Sequence, residues 1–158
     1  MSDTFELIVT ADLRDELSEP ELAELRWHLG LGPQPEQLTI VREFPVVVLD
    51  DAGNPAVENA PEPLLAGHGP AQDVGGALCA ALERRDDDRR PSWALTSRRE
   101  IHPDEFEKAG ELLCWLADRL EAHHRLTDGA VWMGYFRFHE ELLPHVLEVT
   151  DGHVNWDD

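Results

Sequence analysis

The chain has very little positive charge. Lys108 is its only lysine, and thirteen basic residues stand against thirty-three acidic ones, which gives a net charge of −20 over 158 residues. A small domain usually carries a net charge of about 2–8 in magnitude. An excess of this size argues against a nucleic-acid backbone or an anionic membrane as the main target. We therefore predict no nucleic-acid partner and no membrane partner.

Long apolar runs and cysteines are also scarce. No run approaches the roughly 18–20 apolar residues that cross a bilayer, and the N-terminus shows no basic stretch followed by an apolar one, so we expect no secretory signal. The two cysteines, Cys79 and Cys114, both lie in apolar patterns typical of helices. This placement predicts reduced, buried thiols and a cytoplasmic location.

The usual catalytic and metal-binding motifs are missing as well. The eight histidines show no HExxH or CxxC-type spacing, and the chain has no GxSxG elbow and no Walker lysine. We therefore predict no bound metal and no cofactor. His123 and His124 fall at the end of a predicted helix, where a charged imidazole interacts favourably with the helix dipole.

The chain is long enough for one domain, residues 1–158, with a substantial core. Alternation of apolar and polar residues predicts a strand over 5–13. Ser18 and Glu21 form a capping box that predicts a helix running to Leu29. Strands are predicted over 38–49 and, after a turn, over about 56–58. The Pro- and Gly-rich stretch 52–76 is interpreted as a surface loop.

The second half repeats this plan. Residues 74–85 are interpreted as a short helix that leads into a charged turn over 84–91, and residues 93–101 as a strand. Pro103 begins a helix expected to continue to about His124. A central strand over 131–139 and a hairpin over Asp151–Gly152 complete the list.

These elements predict an α+β fold in two layers, with helices on one face of a mostly antiparallel sheet. The first half (about 1–59) and the second half (about 92–158) flank residues 60–91 and suggest two βαββ(β) pseudo-repeats. This order resembles that of the vicinal oxygen chelate enzymes, which often carry a metal-binding histidine on the first strand. Strands 5–13 and 93–101 contain no histidine, so the resemblance is one of element order only.

Two tryptophans stand away from the predicted buried helix faces. On a helical wheel Trp27 lies nearly opposite Leu22, Leu25 and Leu29 of the first helix. Trp115 lies on the second helix beside an acidic stripe. An aromatic ring next to carboxylates can bind arginine or lysine through cation–π contact and ion pairing. Alternatively, each tryptophan packs inside the protein or in a homodimer. The predicted binding residues are Trp27, Glu107, Glu111, Trp115, Asp118 and Glu121.

The leading hypothesis is an acidic cytoplasmic protein that binds a basic protein partner, as an inhibitor, immunity or antitoxin-like protein or a scaffold. A second hypothesis is a small-ligand binder or enzyme with a pocket against strand 131–139, and its candidate catalytic residues are Arg99, Tyr135, Arg137 and His139. A third is an acidic mimic of DNA.

Overall fold

A computed structural model describes residues 3–86 and 91–156. This part of the chain forms an α+β fold of antiparallel strands and two short α-helices. Neither helix is long and apolar enough to span a bilayer. The elements are β1 (Phe5–Arg14), α1 (Glu19–His28), β2 (Pro45–Leu49), β3 (Pro55–Asn59), β4 (Gly69–Pro70), β5 (Ala77–Arg85), β6 (Ser92–Ile101), α2 (Phe106–Ala117), β7 (Val131–Phe138), β8 (His145–Thr150) and β9 (His153–Val154), with 3-10 turns at Pro103–Glu105 and Ala122–His124.

The first strand lies in the middle of the main sheet. It pairs antiparallel with β6 on one side and with β7 on the other, within the order β4-β5-β6-β1-β7-β8-β9. Leu7, Val9 and Leu13 alternate along one face of β1 and are completely buried, as the sequence pattern predicts. They join the apolar residues of α1 and α2 in one core. We call this the inner face of the sheet and the opposite face the outer face.

Gly134 allows β7 to lie close to β1. Its φ of 151° falls in a region that side chains rarely adopt, and a Cβ atom there would collide with the carbonyl oxygen of Ile8. The register between β7 and β8 shifts at this point, between Trp132 and Gly134. The resulting bulge keeps the apolar residues of β7 on the inner face.

The predicted start of the first helix is confirmed. The Ser18 hydroxyl accepts the N–H of Glu21 at 3.2 Å, and the Glu21 carboxylate accepts the N–H of Ser18 at 2.9 Å. The helix ends before Gly30, whose φ of 74° favours glycine. Strands β1, β6 and β7 and the hairpin over Asp151–Gly152 also lie where the sequence predicts them.

The structure corrects two predicted helix assignments. Residues 77–85 form strand β5 rather than a helix, because they pair with β6 from Cys79 to Arg85; tertiary pairing here overrides the helix propensity of alanine and leucine. Cys79 is accordingly exposed on a strand, not buried in a helix. Helix α2 ends at Ala117 rather than near His124. The predicted charged turn falls largely on residues 87–90, outside the described residues.

The early end of α2 has a local cause. The segment that follows it is tied to β1, because Arg14 N–H donates to the carbonyl of Arg119 at 2.8 Å and Glu121 N–H donates to the carbonyl of Asp12 at 2.8 Å. These bonds extend the chain along β1 and are incompatible with further helical turns.

The predicted pseudo-repeat is not confirmed. Strands β2 and β3 form a separate two-stranded sheet, whereas β7 and β8, their expected counterparts, belong to the main sheet. The predicted strand over 38–49 is reduced to β2, since residues 38–44 form an irregular segment. The two halves of the chain therefore do not form equivalent parts of one sheet. The resemblance to the vicinal oxygen chelate enzymes is limited to the order of the predicted elements.

A buried carboxylate replaces the missing strand pairing in residues 38–44. Glu24 of α1 is completely buried. It accepts the N–H groups of Thr39 at 2.6 Å, Ile40 at 3.0 Å and Val41 at 3.0 Å. Three consecutive backbone donors are thus satisfied by one side chain. The bonds fix the segment that leads into β2.

His28, one helical turn from Glu24, completes this arrangement. Burial raises the pKa of Glu24, but the three backbone donors and His28 outweigh burial and hold that pKa below its ordinary value of 4.5. Burial lowers the pKa of His28 below 6.5, against the opposing pull of Glu24. The ionised carboxylate only accepts, so His28 Nε2–H donates to it at 3.2 Å.

Glu24→Gln tests the role of this carboxylate. The amide removes the negative charge and directs an NH2 group at backbone donors, so we expect a loss of about 2–3 kcal/mol in the free energy of unfolding. Urea denaturation measures it. The control is Glu36→Gln, an exposed position, where the change should stay within about 0.5 kcal/mol. Equal effects of the two substitutions would contradict this role for Glu24.

Candidate functional site

A cleft of about 630 Å³ runs along the surface where α2 packs against residues 152–156. Helix α2 forms one wall, and the turn at Gly152, strand β9 and Trp156 form the other. Ile40, which Glu24 holds in place through its backbone N–H, closes one side. The helix-lining residues are Phe106, Glu107, Gly110, Glu111, Cys114 and Trp115.

Aromatic rings line this cleft. Trp156 stacks on Phe106 with ring centres 4.4 Å apart and planes at 10°. Phe136 of β7 packs edge-on against both rings, at 5.5 Å from Phe106 and 5.2 Å from Trp156. Gly110 lies next to the Trp156 indole on the helix surface. The rings are thus held firmly while the indole of Trp156 stays partly exposed.

Two carboxylates lie beside the rings. Glu107 is exposed and has no ion pair or hydrogen bond among the described residues. Glu111, one turn further along α2, accepts from Lys108 Nζ at 2.8 Å. The two side chains are partly exposed, and a pair of this kind contributes only about 0–1 kcal/mol. The cleft combines negative charge with indole surface, as a site for arginine or lysine requires.

Trp115 already binds one arginine of its own chain. The guanidinium of Arg119 lies 3.9 Å from the ring centre and donates to the Trp115 carbonyl at 3.1 Å. Glu21 of α1 lies 3.6 Å from Arg119. Within the chain, an indole ring and a carboxylate thus contact one guanidinium together.

The predicted acidic stripe is divided by the early end of α2. Glu107, Glu111 and Trp115 border the cleft together, as predicted. Asp118 follows the helix, about 16 Å of helix rise from Glu107, and Glu121 lies beyond it, where its N–H binds β1. Neither Asp118 nor Glu121 belongs to the lining of the cleft.

Trp27 is not an exposed anchor. Its side chain is only 6% exposed and belongs to the core. It packs edge-on against Phe44 at 6.2 Å, because the segment that Glu24 anchors covers this side of α1. The prediction that Trp27 contacts a partner is therefore wrong, and the alternative of internal packing applies.

The four candidate catalytic residues do not converge. Arg99 lies on the inner face, where it donates to the Leu64 carbonyl at 2.5 Å and to Glu105 at 2.7 Å. Tyr135 and Arg137 lie on the outer face, and Arg137 Nε donates to Glu6 at 3.0 Å. His139 Nδ1–H donates to the Thr4 carbonyl at 2.9 Å. These hydrogen bonds give the two arginines and His139 structural roles.

One cluster has the composition of a metal site. The ligand atoms of Asp12, His123 and His124 lie within 4.8 Å of one another. His124 Nδ1–H, however, donates to the Trp132 carbonyl at 2.9 Å, and its Nε2 accepts the N–H of Asp12 at 3.1 Å. Both ring nitrogens are occupied, so His124 has no lone pair for a metal. Asp12 is itself paired with Arg85 at 3.0 Å and with His123 at 3.1 Å, so contacts within the protein already engage the carboxylate.

Trp156 is the cleft residue that sequence reasoning missed. It ends the second strand of the predicted hairpin, whose local pattern does not show what the indole contacts. Its pairing with Phe106 is a long-range contact. The one available signal was its type, since tryptophan is highly buried on average.

Cys114 is the one thiol in the cleft lining. Burial raises the pKa of its thiol, and the nearby Asp118 adds to the shift. The thiol donates to the Gly152 carbonyl at 3.2 Å. Cys114 is therefore held as a neutral thiol that joins α2 to the turn before β9, and it is not an activated nucleophile.

The comparisons with known proteins give no relative. No family model, no curated protein and no solved structure matches the chain. The geometry of the cleft and its surroundings is therefore the basis for inferring a function.

His124 gives stability a defined pH dependence. Burial lowers its pKa below 6.5, so protonation favours the unfolded chain, and the stability that His124 provides is present above pH 6.5 and lost as pH falls through the lowered pKa. His124→Asn should therefore cost more stability at about pH 8 than at about pH 5.5.

Acidification also relieves charge repulsion in a chain of net charge −20. This effect is common to wild type and variant, so the stability of the two proteins is compared at each pH. Urea denaturation at both pH values measures the difference. If His124→Asn instead lost more stability at the lower pH, the result would contradict a neutral His124 that makes two hydrogen bonds.

Proposed function

We propose that the chain is an acidic interaction protein that binds a basic protein partner, and that the cleft beside α2 takes cationic side chains of that partner. The observation that carries the proposal is the grouping of Glu107, Glu111, Trp115 and Trp156 around one cleft. A cation entering it meets carboxylates and ring faces together. Neutralising or scaffolding a basic protein is the corresponding biological role.

The overall charge supports this assignment. A net charge of −20 attracts a basic protein over long range and accelerates association, an effect that weakens as salt increases. The helices form one layer over the inner face in this proposal, so that α2 presents its acidic surface outward. We place the interaction in the cytoplasm, because the two free cysteines favour a reducing compartment.

The free energy that contacts in the cleft can contribute indicates what the cleft does in binding. One cation in contact with a ring contributes about 0.5–2 kcal/mol, and an exposed ion pair adds about 0–1 kcal/mol. Such contacts select a basic side chain and fix its position. Stable binding requires apolar area as well, so the cleft is a selective contact within a larger interface.

The test compares two double variants with the same loss of charge. Glu107→Gln/Glu111→Gln removes the carboxylates of the cleft, whereas Glu83→Gln/Glu148→Gln removes two from the outer face. Each immobilised protein is exposed to lysate of the source cells at low salt and eluted with a salt gradient. We expect wild type and the outer-face variant to retain one basic protein near stoichiometrically, and the cleft variant to retain about tenfold less.

Equal loss in both variants would mean that bulk charge alone attracts basic proteins, and the proposed site would be rejected. Undiminished retention by the cleft variant would reject it as well. All four positions are at least partly exposed, so we expect both double variants to fold. Thermal unfolding checks that they do.

A further inference from the structure

His28 is a buried histidine with one ring nitrogen unpaired. Its side chain is completely buried, and Nε2–H donates to the Glu24 carboxylate at 3.2 Å. Nδ1 lies in the protein interior without a hydrogen-bond partner among the described residues. Buried polar atoms in folded proteins are nearly always paired. The unpaired Nδ1 therefore marks a place where a proton can change the balance of contacts.

The ring of His28 lies where α1 meets residues 38–44, which we call the covering segment. One oxygen of Glu24, Oε2, accepts both from His28 Nε2 and from the N–H of Val41, at 3.2 and 3.0 Å. Phe44, at the end of the covering segment, packs against the imidazole with ring centres 6.4 Å apart. The covering segment thus forms part of the barrier between the ring and water.

The covering segment is attached to α1 by few contacts. The backbone N–H groups of residues 39–41 donate to the single carboxylate of Glu24, and the buried side chain of Val41 adds apolar contact. At its far end, Phe44 is bonded to residues 59–60 of the β2–β3 hairpin rather than to α1. Segments held by so few contacts open locally at a lower free energy than the strands of the core.

Protonation of Nδ1 makes the docked arrangement less favourable. It places a positive charge and an N–H group without an acceptor in the protein interior, and both are costly there. Burial accordingly lowers the pKa of His28 below 6.5, although Glu24 opposes the shift. When the covering segment moves away, water reaches the ring and removes this cost.

Glu24 is the ionisable side chain that acts on the His28 ring. Residues 63–66 pack behind the helix end, where Leu65 N–H donates to the His28 carbonyl at 2.8 Å, and they contain no ionisable side chain. The other charged groups of the surrounding elements are directed elsewhere: Glu21 to Arg119, Arg26 to Trp93, Arg99 to Glu105, and Glu19, Arg42 and Glu43 to solvent.

We propose that His28 makes the cleft sensitive to protons: uptake of a proton at Nδ1 favours release of the covering segment from α1, and release removes Ile40 from the side of the cleft that it closes. The link to binding rests on the proposed function. The segment is fully docked above pH 6.5, the ordinary pKa of an exposed histidine. As pH falls below this value, the open population rises, by up to about tenfold at pH 5.5.

The experiment is amide hydrogen exchange of the full chain, followed by NMR at about pH 7.5 and pH 5.5. Protection factors, which correct for the intrinsic effect of pH on exchange, are compared between residues 39–41 and the central strand β1. We expect the protection of residues 39–41 to fall by up to about tenfold at the lower pH relative to that of β1. The ring signals of His28 should titrate over the same pH range.

A matched pair of variants assigns the effect to His28. His28→Gln removes the titration and keeps an N–H donor for Glu24, so residues 39–41 should be equally protected at both pH values. His124→Asn is the control, because it removes another buried histidine whose pKa is lowered by burial. It should leave the pH dependence of residues 39–41 as in wild type. If His28→Gln does not fold, the wild-type titration decides, since the His28 signals and the loss of protection must change together.

A peptide of four Arg-Ser repeats connects the opening to the cleft. The indole N–H signal of Trp156 reports its binding. A ligand that binds only when the covering segment is docked suppresses opening, so a peptide concentration of about ten times its Kd should raise the protection of residues 39–41 about tenfold.

The outcomes separate this inference from the proposed function. Protection of residues 39–41 that follows β1 at both pH values, or that falls equally in wild type and His28→Gln, would overturn the inference. A peptide that shifts the Trp156 indole without slowing exchange at residues 39–41 would overturn the link to the cleft and leave the proposed function standing. A peptide that does not shift the indole would overturn the proposed function, whereas the pH-dependent opening is measured without it.

Discussion

The buried carboxylate of Glu24 is the interaction on which the cleft and the neighbouring β2–β3 hairpin depend. It binds three consecutive backbone N–H groups of residues 39–41 and so fixes a segment that has no strand pairing of its own. Ile40 then closes one side of the cleft, Phe44 covers Trp27, and the hairpin begins one residue later at Pro45. One side chain of α1 thus positions a wall of the cleft and the base of the hairpin.

Carboxylates in this molecule differ in how they are paired. On the outer face, Glu6 accepts from both Arg98 and Arg137, an arrangement that neutralises the charge and holds three neighbouring strands together. Glu83 and Glu148 of the same face, and Glu107 beside the cleft, have no basic partner among the described residues. Unpaired negative charge therefore lies on the outer face as well as at the cleft, and what distinguishes the cleft is that its carboxylates lie beside indole rings.

Local patterns predicted the elements whose cause is local. The capping box of Ser18 and the alternation of β1 depend on neighbouring residues, and both are confirmed. Residues 77–85 became a strand through pairing with β6, and α2 ended early through bonds to β1, so these features depend on distant partners. Helical spacing identified half of the predicted binding residues, namely Glu107, Glu111 and Trp115, as neighbours. The completion of the cleft by Trp156 and the burial of Trp27 required the tertiary structure.

Carboxylate labelling of the complex tests the central claim most directly. A carbodiimide couples an amine to accessible carboxylates, and mass spectrometry measures the labelling of each residue with and without the captured partner. The account predicts that the partner protects Glu107 and Glu111 of the cleft, while Glu83 on the outer face remains as reactive as in the free protein. Protection confined to Glu83 and the rest of the outer face would contradict the account, because the partner would then bind away from the cleft.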